Sequence, residues 1–251
     1  AVYEHGINRE ILNLVRASKL YHGDATLSGN APQFHDVYPD EPECSTGDIY
    51  YQLLAQIGQH LALRVIVDVI SGSSAGGING IALARALAHD LSLAPLTDMW
   101  LAETDMLKLL APEAKARAWS KWYFWPFIRP ALKILHHEGL LPGNIDAQMQ
   151  KRISVFLRSR WFKPPLDGRY LTTLVFDGLE AMEKSHVAEQ TLLPAGTKLD
   201  LLITATDFRG LDRAIFIHNP PVVREREHRH LFRFSLEHYK SGHLQSDFSL
   251  E

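Results

Sequence analysis

Apolar residues recur at helical spacing in several long segments of the chain, and these segments alternate with short runs of β-branched residues. The helical pattern covers residues 7–20, 50–61, 76–89, 96–110, 144–158 and 171–184. Buried strands are predicted at 63–70 and 199–206, weaker strands at 213–217 and 230–234, and a turn at 210–212. Helices that alternate with strands predict an α/β domain with a mostly parallel central sheet flanked by helices.

The composition is that of a globular chain and argues against some partners. Of 251 residues, 46% are hydrophobic, which is enough to bury a sizeable core. The 26 Lys and Arg residues against 29 Asp and Glu residues give a formal net charge of −3, without the basic excess typical of nucleic-acid binding. No nucleic-acid partner is therefore predicted. Cys44 is the single cysteine of the sequence, so neither an intramolecular disulfide nor a cysteine zinc site is expected.

The organisation of the chain predicts one domain that does not cross a membrane. No internal repeat and no dividing linker is found, so a single domain over residues 1–251 is predicted. Charged residues such as Arg64, Asp68 and Lys108 interrupt every apolar run before it reaches the roughly 20 residues of a spanning helix. No signal peptide is recognised, and a cytoplasmic or peripheral-membrane location is expected. Residues 22–48 are rich in Gly and Pro and predict a long loop.

A candidate nucleophile follows the first predicted strand. Residues 72–76 (GSSAG) match the pattern G-x-S-x-G of a nucleophile elbow, in which a serine occupies a strained strand-to-helix turn. Ser74 is therefore the predicted catalytic residue. The helix that begins here directs unpaired N–H groups at the reacting atom, so the Ala75 amide is the predicted oxyanion donor. The predicted turn is completed by Gly72, Gly76 and Gly77.

Two segments together resemble a known family. Residues 68–80 (DVISGSSAGGING) resemble the serine motif of patatin-like phospholipases, in particular of bacterial patatin-related proteins. Residues 201–208 (LLITATDF) are similar to the family's strand that follows its helical insertion. The resemblance implies a three-layer α/β fold with a helical insertion, here aromatic-rich and spanning about residues 96–184. It also implies an acyl hydrolase of lipid esters with a serine–aspartate dyad, no catalytic histidine, no metal and no cofactor.

Two parts of the family pattern have no match in the sequence. The family's glycine-rich loop, which supplies oxyanion donors, precedes its first helix, whereas this sequence opens with AVYEHG. The family's aspartate lies in Asp-Gly-Gly or Asp-Gly-Ala, whereas this chain has only Asp167-Gly168-Arg169 and Asp177-Gly178-Leu179. Asp177 is interpreted as a carboxylate on a helix surface. The chain is therefore expected to be a fragment whose dyad aspartate lies outside it, and to be nearly inactive alone.

An aromatic segment predicts a second contact with lipid. Residues 118–129 contain Trp119, Trp122 and Trp125 beside Lys121 and Arg129. Tryptophan favours the boundary between water and lipid, and the cations can bind anionic headgroups, so peripheral membrane contact is one interpretation. The alternative is a hydrophobic patch that packs beneath the helical insertion.

Two other functions remain open at this point. One is a non-catalytic module that binds lipid or a partner protein on the same fold. The other is a Ser-His-Asp α/β-hydrolase that would use Asp207 with His218 or His243. His228 and His230 would share one face of a strand, but no third ligand occurs at a metal-binding spacing, so no metal site is predicted.

Overall fold

The structure is a computed structural model that describes residues 2–23, 34–39, 45–102, 111, 167–184 and 191–248. The chain divides into two compact units, Ala1–Trp100 with Asp177–Glu251 and Leu101–Phe176. Cys44, the predicted helix 144–158 and the aromatic segment 118–129 lie outside the described residues. Membrane contact through Trp119, Trp122 and Trp125 therefore stays a prediction, as does the single-domain interpretation.

The helices follow the predicted pattern closely. The described residues contain α1 (Val2–Tyr21), α2 (Phe34–Val37), α3 (Gly47–Ile57), α4 (Ala75–His89), α5 (Ala94–Ala102) and α6 (Gly168–Glu183). The predicted helices in the regions of α1, α3, α4 and α6 are confirmed to within a few residues. For α5 the first part is confirmed, and residues 103–110 lie outside the described part. The four-residue α2 lies within the segment predicted as a long loop.

The described strands form one mixed sheet. Its strands are β1 (Val69–Ser73), β2 (Thr197–Phe216), β3 (Val222–His238) and β4 (Leu244–Ser246), in the order β1-β2-β3-β4. The α/β class is confirmed. The prediction of a mostly parallel sheet is wrong for these strands, because only β1 and β2 run parallel, while β2–β3 and β3–β4 are antiparallel. The reason is connectivity, since β2 turns directly into β3 and strands joined by a hairpin must run in opposite directions.

The first predicted strand begins later than its sequence pattern indicated. Residues 63–68 carry the β-branched pattern, yet the ladder with β2 begins only at Val69, which pairs with Asp200. The preceding backbone instead contacts α1, where the Val65 amide donates to the Ser18 hydroxyl at 2.8 Å. The strand is also not buried, because Val69 is 55% exposed. At Val65, a hydrogen bond to α1 therefore takes the place of the expected pairing in the sheet.

The two strands predicted on either side of a turn at 210–212 are one continuous strand. β2 runs through this point, and its register with β3 shifts between Thr206 and Leu211. Gly210 has φ +70°, a conformation that suits both a turn and a β-bulge. The predicted turn at 210–212 is therefore wrong, and Gly210 belongs to an irregularity within one strand. The strand predicted at 230–234 lies within β3.

Helix α4 packs closely on the sheet through residues without side chains. A Cβ on Gly77 would lie 3.2 Å from Cγ2 of Ile203, and one on Gly80 would lie 3.2 Å from Cγ2 of Ile70. Helix α4 also contacts α1, and both helices contribute to the core. The fully or nearly buried apolar side chains of this core include Leu12, Val15, Leu83, Leu87, Leu199 and Leu201.

A buried ion pair joins the end of α4 to α1. Asp90 has φ +53°, and its Oδ1 accepts from Nε of Arg16 at 2.9 Å. Its Oδ2 accepts from the Tyr38 hydroxyl at 3.2 Å, and Arg16 also lies over the Tyr38 ring at 4.5 Å. Burial, together with the Asp90 charge, raises the pKa of Tyr38 well above its usual range. The tyrosine is therefore a fixed hydrogen-bond donor that helps to hold the two helices together.

Candidate active site

Ser74 lies where β1 ends and α4 begins, in a backbone conformation that few residues other than glycine adopt. Its φ is 52° and its ψ is −125°, and Ser74 is exposed to solvent. Holding a non-glycine residue at such angles costs on the order of 1–3 kcal/mol. The side chain forms no capping hydrogen bond with α4, and no described residue is a hydrogen-bond partner of its hydroxyl. The turn therefore holds a serine hydroxyl clear of the helix and open to solvent.

The two glycines of the motif have different roles. A Cβ on Gly72 would lie 2.6 Å from the carbonyl carbon of Gly76 and 2.8 Å from the amide nitrogen of Gly77, and would also overlap the Gly76 oxygen. A Cβ on Gly76 would have only Oε1 of Glu4 near it, at 4.0 Å. Gly72 is therefore required because the first turn of α4 passes directly against it. At Gly76 the space is open.

The start of α4 offers two backbone donors beside the hydroxyl. The amides of Gly77 and Ile78 donate to the Ser74 carbonyl at 3.1 and 3.2 Å. The preceding amides, those of Ala75 and Gly76, belong to the first turn, whose N–H groups have no acceptor within the helix. Together with the positive end of the helix dipole they favour a negative charge next to Ser74. This arrangement is suited to stabilising an oxyanion.

Helix α1 fixes the start of α4 through polar contacts that the sequence pattern did not reveal. Nδ2 of Asn79 donates to the Ala75 carbonyl at 3.1 Å and to Oε2 of Glu4 at 3.4 Å. Nδ2 of Asn8 donates to the Asn79 carbonyl at 2.8 Å. Asn79 is buried in the structure. In the sequence, an asparagine one turn after the motif is the one signal that could have suggested such a contact, because a buried amide needs hydrogen-bond partners.

The comparison with known families agrees with this geometry. The model of the family described as patatin-like phospholipase matches residues 51–240, a range that includes β1, the elbow, α4 and the β2–β3 hairpin. The chain belongs to the patatin-like phospholipase family. No curated protein and no solved structure matches it. The family in turn implies a hydrolase that acts on lipid esters.

The sheet places one carboxylate of this patatin-like chain at the same edge as Ser74. Ser73 is opposite Thr204 in the parallel pair β1–β2, and Asp207 lies three residues further along β2. Oδ2 of Asp207 is 3.9 Å from Nε2 of His230, and Oδ1 accepts from the Arg209 amide at 2.9 Å. Among the described residues, neither side chain of this pair forms a hydrogen bond or ion pair with Ser74.

The histidines considered for a triad lie elsewhere on the hairpin. Thr204 pairs with Leu231, and Val222 lies nine positions before Leu231 on β3, so His218 beyond that end is about 30 Å away at roughly 3.3 Å per residue. His243 lies past the opposite end of β3, about 20 Å or more from the same level. The register of this long hairpin therefore gives no support to the alternative with His218 or His243.

The two aspartates of the Asp-Gly pairs lie at the start of α6 and on its surface. Oδ1 of Asp167 accepts from the amides of Arg169 and Tyr170 at 3.0 and 3.2 Å, so this carboxylate caps α6. Asp177 is exposed on α6, as predicted.

Within the ranges that the structure describes, no group of three His, Cys, Asp or Glu residues could hold a metal ion. In the same ranges, no helix is both long and apolar enough to span a bilayer.

Proposed function

We propose that this chain is a serine acyl hydrolase of lipid esters with Ser74 as its nucleophile. The observation that carries the proposal is the backbone of Ser74, which at φ 52° and ψ −125° presents an exposed hydroxyl beside the first amides of α4. A strained residue of this kind persists only where the surrounding structure enforces it, and such residues cluster at active sites. Membership of the patatin-like phospholipase family gives the substrate class.

In the proposed reaction the Ser74 oxygen attacks the ester carbonyl carbon. A bond forms between these atoms, the serine proton passes to a carboxylate base, and the amides of Ala75 and Gly76 bind the oxyanion. Collapse of this intermediate breaks the ester bond, and the leaving alcohol takes the proton. Water then attacks the acyl-enzyme by the same steps in reverse order and releases the fatty acid and the free serine.

The base is proposed to be an aspartate in a dyad, as the family resemblance implies. Asp207 with His230 is the competing arrangement that the sheet register suggests, because Asp207 lies at the edge of the sheet where Ser74 lies. Asp207→Asn and His230→Gln distinguish the two. A dyad with another aspartate predicts that both variants react like the wild type, whereas loss of reaction in both would assign the base to this pair.

The direct test is covalent labelling with a fluorophosphonate probe. Because no described residue contacts the Ser74 hydroxyl, ester turnover by this chain is expected to be slow. Labelling needs only one attack, and donors at an oxyanion site retain a large rate advantage even when another member of the machinery is missing. We expect time-dependent labelling of the wild type that Ser74→Ala abolishes.

The matched control is Ser73→Ala. Ser73 is also exposed and adjacent, but it belongs to β1 and has ordinary strand geometry. This variant should label at the wild-type rate. Labelling that survives Ser74→Ala, or a wild type that does not label at all, would contradict the proposal and favour a non-catalytic lipid- or partner-binding module on the same fold.

A further inference from the structure

The β2–β3 hairpin extends from the edge of the sheet that carries Ser74 and ends in an apolar tip. β2 passes Ser73 at Thr204 and continues to Phe216, and β3 returns from Val222. The ten residues 214–223 (AIFIHNPPVV) contain no acidic side chain and His218 as the one titratable group. We refer to this ten-residue segment as the hairpin tip.

The hairpin tip exposes large apolar side chains that the ribbon cannot bury by itself. Phe216 is 80% exposed, Ile217 44% and Val222 43%. Phe216 is opposite Val222, and Ile215 is opposite Val223 in the next pair, so apolar residues occupy both faces of the ribbon at its end. A two-stranded ribbon has no core in which to cover both faces. The pattern therefore requires an apolar surrounding that lies outside the hairpin.

Arginines border this tip. Arg213 and Arg224 flank the apolar segment directly, and the hairpin from Thr206 to His230 carries five Arg against four acidic residues, a net charge of 5 − 4 = +1. Asp212 forms an ion pair with Arg226 at 3.1 Å and Glu227 with Arg229 at 3.7 Å, while Glu225 is opposite Arg213 in the register of the two strands. An apolar end followed by cations is complementary to a bilayer with anionic headgroups.

From this we infer that the hairpin tip docks on an anionic lipid surface. Phe216, Ile217 and Val222 would enter the apolar layer, while Arg213 and Arg224 would lie at the headgroups. Because the hairpin projects from the edge of the sheet that carries Ser74, docking would turn this edge toward the lipid. The inference rests on the proposed function only in choosing lipid over protein as the occupant.

The test measures cosedimentation of the full chain with vesicles. The Ser74→Ala variant is used throughout, so that hydrolysis of the vesicles cannot affect binding and failure of the catalytic proposal would leave the result intact. Vesicles of phosphatidylcholine are compared with vesicles that also contain phosphatidylglycerol. We expect binding to the anionic vesicles, and we expect Phe216→Ser to weaken it about tenfold or more, as loss of one large buried apolar side chain implies.

The matched control is Phe208→Ser. Phe208 is on the same hairpin and is 96% exposed, but it lies near the register shift and away from the tip. The Phe208→Ser variant should bind like the Ser74→Ala protein, which is the parent of all these variants. Arg213→Gln combined with Arg224→Gln should weaken binding to the anionic vesicles alone. The inference is overturned if the parent does not bind, if Phe208→Ser loses as much affinity as Phe216→Ser, or if Phe216 instead governs self-association in light scattering.

Discussion

The two glycines of the elbow motif should respond oppositely to the same substitution. In Gly72→Ala the new methyl group would meet the backbone of Gly76 and Gly77 at 2.6 and 2.8 Å, well inside an ordinary contact of about 3.4 Å or more. These are backbone atoms of a helix, so they cannot rotate away as the end of a side chain can. Relief requires the first turn of α4 to move away from β1.

The expected magnitudes follow from these contacts. Overpacking of this kind costs about 1–3 kcal/mol, and more where the clash is with backbone. In Gly76→Ala the methyl group would find Glu4 Oε1 at 4.0 Å, and Gly76 has no positive φ that would disfavour alanine. The helix then gains up to about 1 kcal/mol from the better helix former and the less flexible unfolded chain. The free energies of unfolding of the two variants should differ by about 2–4 kcal/mol.

Urea unfolding followed by circular dichroism measures this difference directly. The slope of the transition should be equal in the two variants, because both change one methyl group. The reasoning is refuted if Gly72→Ala unfolds at the wild-type midpoint, or if Gly76→Ala is destabilised as strongly as Gly72→Ala. Either result would mean that α4 does not pass against Gly72 as closely as the geometry requires.

Three further predictions concern the helices that support the site. Burial, with Arg9 nearby, lowers the pKa of His5 from 6.5 to about 4, so the unfolded chain takes up a proton first as the pH falls, and the free energy of unfolding should drop by up to about 3 kcal/mol between these pH values. Unfolding of the wild type and of His5→Gln across this pH range measures the drop, and an equal drop in both would exclude His5 as the cause. Asp90→Asn should cost about 3–5 kcal/mol because it removes the carboxylate charge of a buried ion pair with Arg16, whereas Asp212→Asn, in an exposed pair, should cost less than about 1 kcal/mol, and equal midpoints in urea would contradict this. Gly47→Ala should lower the melting temperature, because its methyl group would overlap the fully buried ring of Phe34, and an unchanged melting temperature would count against this packing.

Much of the candidate site was predictable because its signals are local. The glycine-serine pattern, the strand before it and the helix after it lie within about 20 consecutive residues. Such a turn can be recognised from the sequence because its steric requirements concern residues that are adjacent in the chain. The different roles of Gly72 and Gly76 were not predictable, because the pattern contains both glycines and only the path of α4 tells which one is crowded. The partners of Asn79 on α1 lie about 70 positions away in the chain, so the sequence pattern did not identify them.

The sequence by itself determined α1, α3, α4 and α6, the α/β class, the strand-to-helix turn at Ser74 and the resemblance to the family that the chain belongs to. Each of these depends on periodicity or on neighbours along the chain. Tertiary structure decided the direction of the strands, the single long β2 and the approach of Asp207 to His230 across the two strands. Strand alternation has the same period in parallel and antiparallel pairs, so the choice between them comes from distant residues that meet only when the chain folds.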